Sequence, residues 1–152
     1  MKTGFSIKGT ITLEVERVDG SAIKAVHKNI VTKWGLSQVA SFLAGAATSA
    51  PLSSLALGTG ATPASEADIK LETEALRDTA VINHLTGADS STVELRVAHA
   101  LGAVSGTFTE AGIFNASAAN SGNMFNRVVF AAFPVTASDT LTVIWKIEVK
   151  NI

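Results

Sequence analysis

Three histidines, His27, His84 and His99, are the side chains of this 152-residue chain best suited to metal or proton chemistry. They are separated by long intervals, and none has the i, i+4 spacing of a helical zinc motif. The chain has no cysteine, which excludes disulfides, thiolate metal sites and cysteine nucleophiles. We therefore expect the histidines to be surface or half-buried residues of strands, and we predict no bound metal and no cofactor.

Glu110 is the carboxylate with the least polar neighbours, because it lies in the apolar and small-residue stretch 108–114. A buried carboxylate needs a partner. Arg77, Arg96, Arg127 or backbone N–H groups are the candidates. We interpret Glu110 as a structural anchor rather than a catalytic acid.

The paired carboxylates Glu14 with Glu16 and Glu72 with Glu74 are the closest match to a glycosidase pair. Each pair has i, i+2 spacing, which places both side chains on one face of a strand, and such a face is usually solvated. The sequence also has no Gly-x-Ser-x-Gly nucleophile elbow. These patterns favour a protein that is not an enzyme.

The string Gly58-Thr59-Gly60 has the look of a phosphate-binding loop but lacks its essential residues. No Gly-Lys-Ser/Thr ending follows, and Pro63 stands where a dinucleotide fingerprint has its third glycine. We therefore predict a turn in which these glycines adopt positive φ angles.

Alternation with a period of two dominates the chain and predicts the strands that must position these residues. Asp19-Gly20 separates a strand over 5–16 from a return strand over 21–30. The period changes to a helical one over about 33–44, where an apolar stripe should lie on the sheet. We expect 67–77 to be an extended loop or a short edge segment. Further strands are predicted over 52–57, 78–86, 93–101, 107–114, 124–133 and 140–150, with turns over 87–91, 102–106 and 136–139.

About eight strands with frequent turn signals and one helix predict a mainly β, jelly-roll-like antiparallel sandwich over a single domain, 1–152. The hairpin 1–30 is predicted either to pack on the main body or to act partly as an arm, and the loop 115–122 is predicted to be exposed and mobile. Trp34, on the helix stripe, and Trp145, on the inward face of the last strand, are predicted to be core residues.

The charge composition restricts the partners. Charged residues make up 16% of the chain, against about 25% in an average soluble protein. Twelve Lys and Arg against thirteen Asp and Glu give a net charge of −1, which argues against binding nucleic acid or an anionic membrane. No signal peptide and no transmembrane segment are expected. So little charge favours a surface that is partly covered by other proteins.

Six strings, in this order, resemble small virion structural proteins of tailed bacteriophages, over about residues 28–150. The strings are Lys28-Asn29-Ile30-Val31-Thr32 with Trp34-Gly35-Leu36, Leu55-Ala56-Leu57-Gly58-Thr59-Gly60, Leu71-Glu72-Thr73-Glu74 with Arg77, Thr109-Glu110-Ala111-Gly112-Ile113-Phe114, Met124-Phe125-Asn126-Arg127-Val128-Val129-Phe130, and Asp139-Thr140-Leu141-Thr142-Val143-Ile144-Trp145-Lys146-Ile147. The chain departs from the family pattern at Ala111, where a larger apolar residue is usual.

The resemblance implies a capsid-associated or tail-fibre-like protein of the virion, assembled in the cytoplasm of a bacterial host, and it brings no catalytic motif. In such a scaffold, Glu110 would tie two strands through an arginine, and Gly112 would make a tight turn at the end of a strand. A capsid decoration protein, bound to the major capsid protein and forming a homo-oligomer, is the favoured interpretation. The alternatives are a tail, collar or fibre-base component that binds tail proteins, and a carbohydrate-binding module.

Overall fold

A computed structural model describes residues 4–89 and 91–151. The first three residues of the predicted hairpin and Ser90 of the predicted turn lie outside these described residues. The elements are β1 (Phe5–Arg17), β2 (Ala22–Lys28), β3 (Ile30–Val31), α1 (Lys33–Leu43), β4 (Ser54–Gly58), β5 (Glu74–Thr79), β6 (Val81–His84), β7 (Thr92–His99), β8 (Gly106–Phe114), β9 (Met124–Val135) and β10 (Asp139–Asn151).

The strands form two five-stranded sheets whose inner faces enclose the main core. Sheet A has the order β2-β1-β10-β7-β6, and sheet B has the order β3-β9-β8-β4-β5. Neighbouring strands are antiparallel throughout these sheets. The predicted mainly β sandwich with one helix is confirmed, with ten strands in the described residues instead of about eight.

The additional strands arise where the chain passes from one sheet to the other. The predicted return strand 21–30 leaves sheet A at Asn29 and continues as β3 in sheet B. The predicted strand 78–86 is divided at Ala80, between β5 of sheet B and β6 of sheet A, and most of β5, an edge strand, lies in the stretch 67–77 that was predicted as an extended loop or short edge segment. Each crossing uses a single residue, so no turn signal marks it in the sequence.

The centre of sheet A is the pairing of β1 with β10, which runs from Phe5 opposite Asn151 to Arg17 opposite Asp139. The first strand of the predicted hairpin is therefore an interior strand, and β2 is an edge strand. Trp145 of β10 is 0% exposed, which confirms its predicted place in the core.

The long apolar strand β9 is buried over its first five residues and extends through Pro134, which was expected to bound it. Its inward residues Phe125 and Val128 belong to the main core. Met124 belongs to a second, smaller cluster with Ala56, Leu71 and Phe114.

The helix α1 begins on sheet B. Its N-cap residue Thr32 accepts a hydrogen bond from Gly35 N through Oγ1 (3.0 Å), and Thr32 N donates to Phe125 O (2.9 Å). The predicted helix is thus confirmed, but the expectation that its whole apolar stripe lies on the sheet is wrong. Trp34 is only half-buried, and Phe42 and Leu43 are 74% and 71% exposed, because the last turn leads into an exposed loop over 44–51.

Candidate functional site

Glu110 is fully buried on β8, opposite Gly58 of β4. Its Oε1 accepts hydrogen bonds from Gly60 N (2.9 Å) and Thr73 N (2.7 Å). Its Oε2 accepts from Glu72 N (3.0 Å) and from Arg127 Nε (3.0 Å). The carboxylate therefore holds both ends of the loop 59–73 on sheet B, because this one side chain accepts hydrogen bonds from three backbone N–H groups of the loop.

Arg127 of β9 carries the balancing charge. Its Nη1 donates a hydrogen bond to Asp68 Oδ2 (2.8 Å). Its Nη2 forms an ion pair with Glu110 Oε2 at 2.8 Å, but the two groups are not aligned for a hydrogen bond. Burial acts to lower the pKa of Arg127 and is the largest single influence. The hydrogen bonds and charges of Asp68 and Glu110 outweigh it, so the pKa lies above its ordinary value.

Asp68 and Glu72 fold the loop around this arginine. Asp68 Oδ2 also accepts from Ser65 N (2.8 Å), and Glu72 Oε2 accepts from Ala61 N (2.9 Å) and Thr62 N (2.8 Å). Hydrogen bonding from Thr62, then from Ala61, with the charge of Arg127, holds the pKa of Glu72 below its ordinary value. We call Glu110, Arg127, Asp68 and Glu72 together the loop clamp.

Gly58 and Gly60 border the loop clamp, but not for the predicted reason. Neither glycine has a positive φ angle, so the prediction of a positive-φ turn is wrong. A Cβ atom on Gly58 would lie 2.6 Å from Glu110 Oε1, and one on Gly60 would lie 2.5 Å from the same atom. Both positions need glycine because the carboxylate of Glu110 approaches the backbone closely, and because Thr73 O at Gly58 and Glu72 Cβ at Gly60 are at least as close.

Gly112 lies inside β8, between Ala56 of β4 and Arg127 of β9. The prediction that it forms a tight turn at the end of a strand is therefore wrong. A Cβ atom here would lie 3.0 Å from Met124 Sδ and 3.1 Å from Leu71 Cδ2. The missing side chain leaves room for the small apolar cluster beneath the loop 59–73.

Arg77 forms a separate tie. Its Nε and Nη2 pair with Glu74 at 2.8 and 2.6 Å, and its guanidinium lies 3.6 Å above the ring of Phe114. Its Nη1 donates to Ala116 O (3.0 Å) and Ser121 O (2.6 Å), so two carbonyls of the exposed loop 115–122 are fixed. Of the arginines considered for Glu110, only Arg127 is its partner; Arg96 lies on β7 in sheet A.

These contacts suit anchoring rather than proton transfer. Both oxygens of Glu110 are engaged, and the side chain has no contact with solvent, so no oxygen is free for a substrate. Among residues 4–89 and 91–151, no group of three potential metal ligands converges. The histidines lie on strands as predicted: His27 stacks on Phe130 at 4.9 Å, and His99 Nε2 is 3.7 Å from Asp78 Oδ2.

A second site, which was not predicted from the sequence, lies at the end of the sandwich near α1. Here a groove of about 410 Å³ is lined mainly by apolar residues, including Trp34, Val39, Phe42, Pro51 and Leu52. The signal that marks it is the complete absence of charged residues from Trp34 to Ser65.

Within the part of the chain that the structure describes, no helix combines the length and hydropathy needed to cross a bilayer. No family model, curated protein or solved structure gives a significant match to this chain.

Proposed function

We propose that this chain is a non-enzymatic structural protein of a tailed-bacteriophage virion, and that it decorates the capsid by binding the major capsid protein. One observation carries the proposal. Four of the six strings that resemble such virion proteins meet around the loop clamp, although they are far apart in the sequence. They supply Gly58 and Gly60, Glu72 and Thr73, Glu110, and Arg127.

Strings that meet in space support the resemblance more than scattered strings would. A loop held by a buried ion pair needs all of its parts at once, because Glu110 without Arg127 or the loop N–H groups would be an unpaired buried charge. The strings therefore supply the parts of one structural unit, which fixes the loop 59–73 on the surface of the sandwich. A fixed surface suits a protein that binds by shape to a regular array.

A decoration protein stabilises a shell by binding the assembled state and not its separated subunits. The stabilisation grows with the concentration of the free protein relative to its dissociation constant. It requires a buried interface, and about 800 Å² on each partner is typical of specific complexes. The first hairpin, 1–30, and the loop 115–122 are the predicted regions of contact with the capsid.

The test is the number of copies in purified virions, measured by quantitative mass spectrometry against the major capsid and tail-tube proteins. Hundreds of copies per particle are expected for a decoration protein. A few to a few dozen copies would instead place the chain in the tail, collar or fibre base, and absence from the particle would refute a virion role.

The carbohydrate-binding alternative has less support, because a sugar site usually presents an exposed aromatic platform. Trp145 is fully buried and Trp34 is half-buried. Specific binding of the wild-type chain on a glycan array would revive that alternative.

A further inference from the structure

The end of the sandwich at α1 presents an exposed surface without charge. We call it the α1 surface and define it as Leu36, Ala40, Phe42, Leu43 and the loop 44–51. Every one of these residues is exposed, and Leu36 is 46% exposed. Large apolar side chains grouped on a protein surface mark an interaction site.

The helix has apolar residues on two sides. Trp34, Val39 and Phe42 line the groove against the sandwich. Leu36, Ala40 and Leu43 have i, i+4 and i+7 spacing, so they form a second stripe, and all three are exposed. A surface helix normally turns a polar or charged side to water. The second stripe is therefore suited to contact with another apolar surface.

We propose that the α1 surface binds the α1 surface of a second copy of this chain across a two-fold axis. In such a contact the same patch lies on both subunits, so each charged group in it tends to lie near its own copy and to be repelled. No charged residue occurs from Trp34 to Ser65, which removes this penalty. The small side chain of Ala40 at the centre of the stripe lets two helices approach closely.

The area of the surface limits how stable the contact can be. A helix of 11 residues is about 16 Å long and about 10 Å wide, which gives a footprint of about 160 Å². Specific complexes bury about 800 Å² on each partner. The loop 44–51 and the groove must add to the helix, so we expect a weak dimer that depends on protein concentration.

The proposal does not rest on a virion role. A chain that is absent from virions but dimerises through α1 would refute only the proposed function. A decoration protein that is monomeric in free solution would refute only the dimer.

The first experiment is sedimentation equilibrium of the purified chain from about 1 µM to about 1 mM. The wild type should pass from monomer to dimer in this range, and Leu43→Glu should weaken association at least about tenfold, as expected at the centre of an interface. Leu101→Glu is the matched control, because Leu101 is 56% exposed in the turn between β7 and β8, and it should leave association unchanged. A monomer at all concentrations, or equal losses in the two variants, overturns the proposal.

The second experiment does not require a destabilising substitution. Because the chain has no cysteine, Ala40→Cys provides a single thiol on the α1 surface, and Ala100→Cys provides one at an exposed alanine elsewhere. Mild oxidation should link Ala40→Cys into disulfide dimers at least about tenfold faster than Ala100→Cys at equal concentration, because the two-fold contact brings the thiols together. Equal rates would rule out the proposed contact even if the chain dimerises.

Discussion

The loop clamp and the α1 surface belong to the same sandwich but differ in charge: the first buries charged groups, and the second is exposed and has none. At the loop clamp, Glu110 and Arg127 are nearly inaccessible to water, and their charges are met by backbone N–H groups and by each other. At the α1 surface there is no charge, and large side chains such as Phe42 and Leu43 face solvent.

This difference separates the two tasks of a binding scaffold. A buried charge tolerates very few arrangements, because every polar atom must find a partner, so it fixes the position of a loop. An exposed apolar surface needs no specific partners within its own chain, and covering it with another protein lowers the free energy. The loop clamp is therefore expected to control folding, and the α1 surface to control association.

The largest expected effect is that of Glu110→Ala at the loop clamp. The substitution leaves the buried guanidinium of Arg127 without one of its two close counter-charges and removes the acceptor of three backbone N–H groups. We expect the free energy of unfolding to fall by about 3–5 kcal/mol, measured by urea denaturation. Glu110→Gln keeps the shape but loses the charge, so it should cost less.

Glu16→Ala is the control, because Glu16 is an exposed glutamate on β1 and should change stability by no more than about 0.5 kcal/mol. A loss at Glu110 no larger than that at Glu16 would show that the loop clamp does not control folding.

A smaller loss is expected from Gly60→Ala, because its Cβ atom would lie 2.5 Å from Glu110 Oε1. Moving the carboxylate or the loop should cost about 1–3 kcal/mol, as overpacking usually does. Gly60→Asn distinguishes this cause from backbone strain. Asparagine tolerates positive φ angles better than alanine, so it would be the milder change in a positive-φ turn. Here the larger side chain should be the more damaging one in thermal denaturation.

The loop clamp was partly visible in the sequence. Glu110 stands in an apolar stretch, so its need for a partner followed from the cost of burying a carboxylate, and Arg127 was among the candidates. The close approach at Gly58 and Gly60 was not visible, because a glycine at a contact and a glycine at a positive-φ turn look alike in one sequence. Gly112 was misplaced for the same reason.

The sheets were predictable only in part. The alternation in β1 and β10 indicated which of their residues face inward, since one side of each strand is more buried than the other. Alternation does not report which sheet a strand joins. The crossings at Asn29 and Ala80 were therefore missed. The periodicity of α1 likewise showed an apolar stripe without showing what covers it.

Acid should weaken the contribution of the loop clamp to stability. The pKa of Glu72 is held below its ordinary value in the folded chain, so Glu72 contributes stability above its unfolded pKa, and this is lost as the pH falls through the folded pKa. The stability difference between wild type and Glu72→Gln should be largest near pH 7 and shrink towards about pH 3 in urea denaturation. A constant difference would contradict this linkage.

The smallest expected effect on folding is at the α1 surface, with Leu43→Ser. This side chain is 71% exposed, so its removal should change the free energy of unfolding by no more than about 0.5 kcal/mol. The same substitution should weaken self-association at least about tenfold, because the leucine side chain is buried from solvent in the dimer. Urea denaturation at low concentration and sedimentation equilibrium at high concentration measure the two quantities on one sample. A substitution that lowers stability by several kcal/mol without changing association would make Leu43 a residue of the fold, and the separation of tasks between the two regions would fail.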